Sequence, residues 1–218
     1  MIVVIDGPAG SGKSSTARAV AHELNIQYLD SGALYRAVTY LFLKSKQSLP
    51  AFFESLYSAQ LSFEFSNEFQ VNLNGEDITS AIRDPKVSAQ VSTVAAMPKV
   101  REYINDLMNN AVQDDVYIAD GRDLGTAVFP NAECKFFMIA DLETRVKRRH
   151  QELSLKGLQI SFSGVFAEIK QRDRIDSTRE NDPLKQADDA IVVDSSTFSF
   201  DEQVQYIVKR VKETIAIE

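Results

Sequence analysis

Apolar and polar positions along the chain fall into two alternating rhythms. Ile2-Val3-Val4-Ile5 is a short unbroken apolar, β-branched run, the kind buried on both faces of a parallel sheet. Ala17, Val20, Ala21 and Leu24 then recur at helical spacing. Ile26 to Leu29 predicts a second strand, and Leu34, Val38, Leu41 and Phe42 the apolar face of a helix after it. Further buried-type strands are predicted at Val116–Ala119, Lys135–Ala140 and Ala190–Asp194. Helical faces lie between them at Val87, Val91, Val94 and Ala95, and at Val100, Tyr103, Ile104, Leu107 and Met108. A last one is carried by Val204, Ile207, Val208, Val211 and Ile215. Strands separated by helices predict an α/β fold around a five-stranded parallel sheet.

One stretch breaks the rhythm. From Gln60 to Thr79, Leu61, Phe63 and Phe65 alternate with polar residues, then Phe69, Val71 and Leu73, before Asn74-Gly75. Alternation with an Asn-Gly turn predicts a small antiparallel β insertion with one wet face. Residues 44–60 are less regular, and Pro50 is expected to break the pattern there. Neither a repeat nor a low-complexity linker is visible, so residues 1–218 read as one domain with excursions.

The chemistry concentrates at strand ends. Gly7-Pro8-Ala9-Gly10-Ser11-Gly12-Lys13-Ser14 fits G-x-x-x-x-G-K-[ST], between a predicted strand and a predicted helix. Glycines let successive backbone N–H groups turn into one concavity, and the helix start adds positive potential. Lys13 is placed to reach the β- and γ-phosphates of a nucleoside triphosphate, and the Ser14 hydroxyl to ligate Mg²⁺. Asp120 ends a core strand, where it is a turn residue or the holder of an Mg²⁺-bound water. Asp30 and Ser31 read as helix capping or as site residues, with Ser31 the expected cap, and Arg36 as a surface residue or an anion ligand. Arg145, Arg148 and Arg149 share one helical face. Gly157 and Gly164 punctuate a stretch expected to be mobile. Arg172, Asp176 and Arg179 then fall at i, i+4 and i+7, a functional face or a solvated one with local ion pairs.

A net charge of −7 argues against non-specific nucleic-acid binding and makes clustered arginines informative. Cys134 is the single cysteine, which excludes an internal disulfide and a multi-cysteine zinc site. No signal-peptide pattern or membrane-length apolar run is visible, so a cytoplasmic protein without membrane or nucleic-acid partners is expected. The N-K-x-D and D-x-x-G motifs of a GTPase switch are missing.

The stretches GPAGSGKSS, LDSGALYRAV, VAAMPKVRE at 94–102, IADGRDLGT at 118–126, EIKQRDRIDSTRE at 168–180 and DAIVVDSS at 189–196 resemble the bacterial cytidylate kinases. They span nearly the whole chain in the expected order. Adenylate and shikimate kinases lack the combined GRDLGT and RDRIDSTRE stretches. The resemblance implies a monomeric enzyme that moves the γ-phosphoryl group of ATP to CMP or dCMP with Mg²⁺. It implies a monophosphate-binding insertion at about residues 39–110 and a helical lid at about 150–180. Gly7, Pro8, Ala9, Gly10, Ser11, Gly12, Lys13, Ser14, Ser15 and Arg145 would serve ATP, and Ser14 and Asp120 the metal. Arg36, Arg122 and Arg179 would hold the CMP phosphate, with Ser31 in the same site. Ser92, Arg101 and Asp123 would read cytosine, and Arg172 and Asp176 would reach the sugar. Arg174, like Arg145, would face the ATP phosphates on lid closure; Lys13, Arg122, Arg174 and Arg179 would be the catalytic group.

Overall fold

A computed structural model describes residues 1–45, 48–65, 69–113 and 115–215. The parts of the expected insertion at 46–47 and 66–68, and the side chain of Ile215, lie outside the described residues.

The chain opens with β1 (Ile2–Asp6), the phosphate-type loop, α1 (Lys13–Leu24), β2 (Gln27–Asp30) and α2 (Ser31–Ser45). The excursion follows as α3 (Leu49–Ser58), β3 (Leu61–Glu64), β4 (Gln70–Leu73), β5 (Glu76–Asp77), α4 (Pro85–Ala95) and α5 (Pro98–Ala111). The core resumes with β6 (Tyr117–Gly121), a π-type turn at Leu124–Val128 and β7 (Cys134–Ile139). It closes with α6 (Leu142–Leu155), α7 (Phe162–Thr178), β8 (Ile191–Asp194) and α8 (Phe200–Ile215).

The five core strands form one sheet in the order β2-β6-β1-β7-β8. Every pairing in it is parallel, with Ile5 opposite both Asp120 and Phe136. β1 is central and its five residues are all buried, as an apolar run flanked by strands on both sides requires. From β1 the chain goes to β2 on one side, whereas β7 leads to β8 on the other. Ligands of open α/β sheets bind beyond the strand ends at such a reversal, and the glycine loop lies there. β8 is an edge strand, and its Val192 stays 45% exposed despite the apolar sequence.

The excursion holds the expected antiparallel sheet, β3-β4-β5. Asn74 and Gly75 adopt φ of 53° and 80°, the two positive values a type I′ hairpin turn needs. Pro50 corrects the sequence expectation: it sits in the first turn of α3, where its missing N–H leaves no helical bond unmade, and so starts a helix. Gly164 lies inside α7, with its amide on the Ser161 Oγ cap at 3.1 Å. Val146, Leu153, Val165 and Ile169 of α6 and α7 form a small apolar cluster separate from the main core.

Candidate active site

A cleft of about 710 Å³ runs from the glycine loop to α4 and α7. Its size lies toward the upper end of small-molecule sites.

At one end is the loop itself. Gly12 is the N-cap of α1 at φ 95°, a left-handed conformation that favours glycine. Gly7 has no room for a side chain, since a Cβ there would lie 2.1 Å from the Met138 carbonyl oxygen. Lys13, the first residue of α1, is buried, and its Nζ donates across the loop to the Pro8 carbonyl at 3.0 Å. Burial, with the nearby Arg122 charge, pushes its ammonium down to about 7. Ser14 Oγ donates to Asp120 Oδ2 at 2.7 Å, and Tyr28 donates to Asp120 Oδ1 at 2.6 Å. Burial and then the Asp30 charge raise the Asp120 carboxyl above its usual range. Sheet register makes the Tyr28 contact, because Tyr28 pairs with Ile118 and Asp30 with Asp120.

At the other end are cations from four parts of the chain. Arg36 of α2, Arg122 after β6, Arg172 of α7 and Arg179 just past it all line the cleft. Burial lowers Arg172 to about 10, with the Arg122 and Arg36 charges adding to it. Arg122 Nε donates to Asp176 Oδ2 at 3.1 Å. Arg172 Nε is buried and unpartnered among the described residues. Crowded arginines with an unused donor suit an anion.

Beside them, Asp123 accepts from Arg179 Nη2 at 2.8 Å and from Arg101 Nη2. Burial raises its carboxyl despite both arginines. Arg101 stands behind the wall, also donating from Nε to Asp182 Oδ2 at 2.9 Å, while its Nη1 is buried without a partner among the described residues. Ser92 lines the same end of the cleft. Ser31 lines it too, but it does not cap α2: Asp30 Oδ1 accepts from the Ala33 amide at 2.8 Å, and Ser31 Oγ donates to the Asp120 carbonyl at 2.6 Å. The cap belongs to Asp30 because its carboxylate, held at the end of β2, reaches the third amide of the helix.

Thus Lys13, Ser14, Ser31, Arg36, Ser92, Asp120, Arg122, Asp123, Arg172, Asp176 and Arg179 meet around one cleft. Arg145 and Arg174 do not join its wall. Arg145 is buried under the loop, and Arg174 is exposed. Sequence reasoning missed several partners. Arg83 donates to Asp30 Oδ2 at 2.9 Å, and Arg83 with Arg36 holds the Asp30 carboxyl low against the opposing effect of burial. Arg148 holds Ser195 through Nη1 and Nη2 at 2.9 and 2.7 Å. Asp6 accepts from the Leu124 and Gly125 amides at 3.0 and 2.8 Å, fixing the loop that carries Arg122 and Asp123. A carboxylate ending an apolar strand was the signal available for Asp6; the others depend on residues distant in sequence.

A family model described as cytidylate kinase matches residues 3–213. A cytidylate kinase of Carboxydothermus hydrogenoformans is 43% identical over 213 residues, covering 96% of each chain. One of Clostridium botulinum is 44% identical over 211 residues, covering 96% of this chain and 97% of that one. Among solved structures, an uncharacterized protein of Eubacterium ventriosum superposes with a TM-score of 0.55 at 12% identity, covering 97% and 98% of the two chains. A shikimate kinase of Bacteroides thetaiotaomicron does so with 0.51 at 13% identity, over 99% and 98%. At such low identity these two likenesses concern the fold. The matched residues 3–213 include the glycine loop, the arginines of the cleft and the last core strand, and the chain belongs to the cytidylate kinase family.

Proposed function

We propose that this protein transfers the γ-phosphoryl group of ATP to the phosphate of CMP or dCMP, giving ADP and CDP or dCDP. The observation that carries this is one cleft with a phosphate loop at one end and, at the other, an arginine cluster in which Arg172 keeps an unused buried donor. Phosphoryl transfer depends on positioning and charge neutralisation more than on covalent help from the protein.

The loop amides and Lys13 hold the donor phosphates. Arg36, Arg122 and Arg179 hold the acceptor phosphate, Arg172 and Asp176 meet the sugar, and Ser92, Arg101 and Asp123 read the base. Arg122 lies close enough to Lys13 to depress its ammonium, which supports a place between the two phosphates. An acceptor phosphate oxygen attacks the γ-phosphorus, the bond to the β–γ bridging oxygen breaks, and its electron pair leaves with ADP. The arginines and Lys13 neutralise the charge that spreads over the transferring group.

Ser14 and Asp120 fit Mg²⁺ as a pair of hard oxygen donors beside the loop. Among the described residues no cluster of three or more His, Cys, Asp or Glu is placed to hold a metal, which suits an ion bound largely by nucleotide phosphates and water. Bound there, Mg²⁺ supplies charge neutralisation at the donor phosphates. Among the described residues no helix is long and apolar enough to cross a membrane.

A coupled assay of ADP release with CMP, dCMP, UMP, AMP and shikimate as acceptors tests the reading. CMP or dCMP should give the highest kcat/KM, and a higher value for any other acceptor overturns it.

A further inference from the structure

We infer that Asp173 is a positioning residue that ties the donor loop to the acceptor helix, so that filling one half of the cleft strengthens binding in the other. The inference rests on the donor and acceptor reading of the cleft given above.

Helix α7 has two jobs on neighbouring faces. Arg172 and Asp176 line the cleft. Asp173 follows Arg172 by one residue, about 100° around the helix axis. It meets α6 and the glycine loop instead. Asp173 Oδ2 accepts from Arg145 Nη1 at 2.6 Å, and Oδ1 accepts from the Ala9 amide at 3.4 Å. The same Arg145 Nη1 donates to the Ala9 carbonyl at 3.1 Å, and Arg145 Nε donates to the Ala140 carbonyl at 3.0 Å. One carboxylate and one guanidinium therefore bracket both polar groups of a single loop residue. Gly10 presses on α6: a Cβ there would lie 3.2 Å from Arg145 Cβ.

A carboxylate beside a polyphosphate loop is electrostatically unfavourable by itself. Here Arg145 neutralises it, and the pair is largely shielded, with side chains 9% and 24% exposed. What the pair adds is a mechanical link. Polyphosphate in the loop fixes Ala9, Ala9 and Arg145 fix Asp173, and Asp173 fixes the turn of α7 that carries Arg172 and Asp176. α7 and α6 share their own small apolar cluster apart from the main core, so few apolar contacts with the core would otherwise hold this turn in register. Linkage is reciprocal: if the donor strengthens acceptor binding, the acceptor strengthens donor binding by the same factor.

The test uses the full chain. CMP is titrated calorimetrically with and without a saturating non-hydrolysable ATP analogue and Mg²⁺. In wild type the analogue should tighten CMP binding about fivefold or more. In Asp173→Asn the factor should fall below about twofold, with CMP affinity in the absence of analogue within about twofold of wild type. Arg145→Ala should lose the same factor, and the double variant no more than either single one, because both changes cut one link. A purely structural defect would weaken CMP equally under both conditions, and that result overturns the inference. So does a wild-type factor of one, or an unchanged factor in Asp173→Asn. Wild type that binds no CMP at all overturns the acceptor assignment as well, which separates failure of the reading from failure of the link.

Discussion

Arg101 on α5 donates its Nη2 to Oδ2 of Asp123, 22 residues further on, and both side chains are buried. The pair brings the helical excursion and the loop after β6 together at the end of the cleft that Ser92 also lines.

Base choice should depend on this corner. Cytosine offers an exocyclic amine, with N3 and O2 as acceptors. On the proposed assignment, Ser92 and Asp123 would present acceptors to the amine, and Arg101, whose Nη1 is buried without a partner among the described residues, would donate to the ring. Uracil would set a carbonyl against the carboxylate and an N–H against the arginine. Two buried mismatches at about 1–3 kcal/mol each favour CMP by about 10²-fold or more. The ratio of kcat/KM for CMP over UMP should therefore fall in Ser92→Ala and Asp123→Ala. An unchanged ratio in both folded variants removes these residues from base reading.

Lys13→Ala should fold normally and lose turnover by several orders of magnitude, because its charge acts on the transferring phosphate. Single-turnover kinetics on the purified variant checks this, and near-normal rates would refute the donor-loop assignment.

Residues 150–180 pack on a separate apolar cluster and reach the rest of the site largely through charged pairs such as Arg122–Asp176. Amide hydrogen exchange in this segment should slow most when an ATP analogue and CMP are both bound. Exchange rates indifferent to both ligands together would count against a lid.

Asp6 gives a pH-dependent stability of defined sign. Burial raises its carboxyl to about 6, against an ordinary value of 3.8, although the Gly125 and Leu124 amides pull the other way. The folded state thus holds this proton more tightly than the unfolded chain. That contribution is fully present below the unfolded pKa and is lost as pH rises to about 6. Relative to wild type, Asp6→Asn should gain stability between pH 4 and pH 6, by up to about 3 kcal/mol. Denaturant unfolding of both proteins across that range measures it. A constant difference would show that Asp6 does not titrate there.

Strands, helices and the glycine loop are legible along the chain, because each follows from neighbours within a few residues. The unbroken run Ile2–Ile5, the helical spacing of Val87, Val91 and Val94, and the Asn74-Gly75 turn are local rules that the fold obeys. Pro50 and the cap of α2 are ambiguous for the same local reason: proline is tolerated in a first turn as readily as it breaks a later one, and of the adjacent Asp30 and Ser31 it is Asp30 that caps. The family resemblance brought Ser92, Arg101 and Asp123 together on paper, from separate stretches of chain. Only the tertiary structure decided their partners. Tyr28 reaches Asp120, Asp173 reaches Ala9, and Asp182 reaches Arg101 across separations of 92, 164 and 81 residues. Such contacts are set by sheet order and helix packing, which place whole elements side by side. A charged side chain 100 residues away leaves no periodic trace in the sequence around it, so its pairing exists only once the sheet has closed.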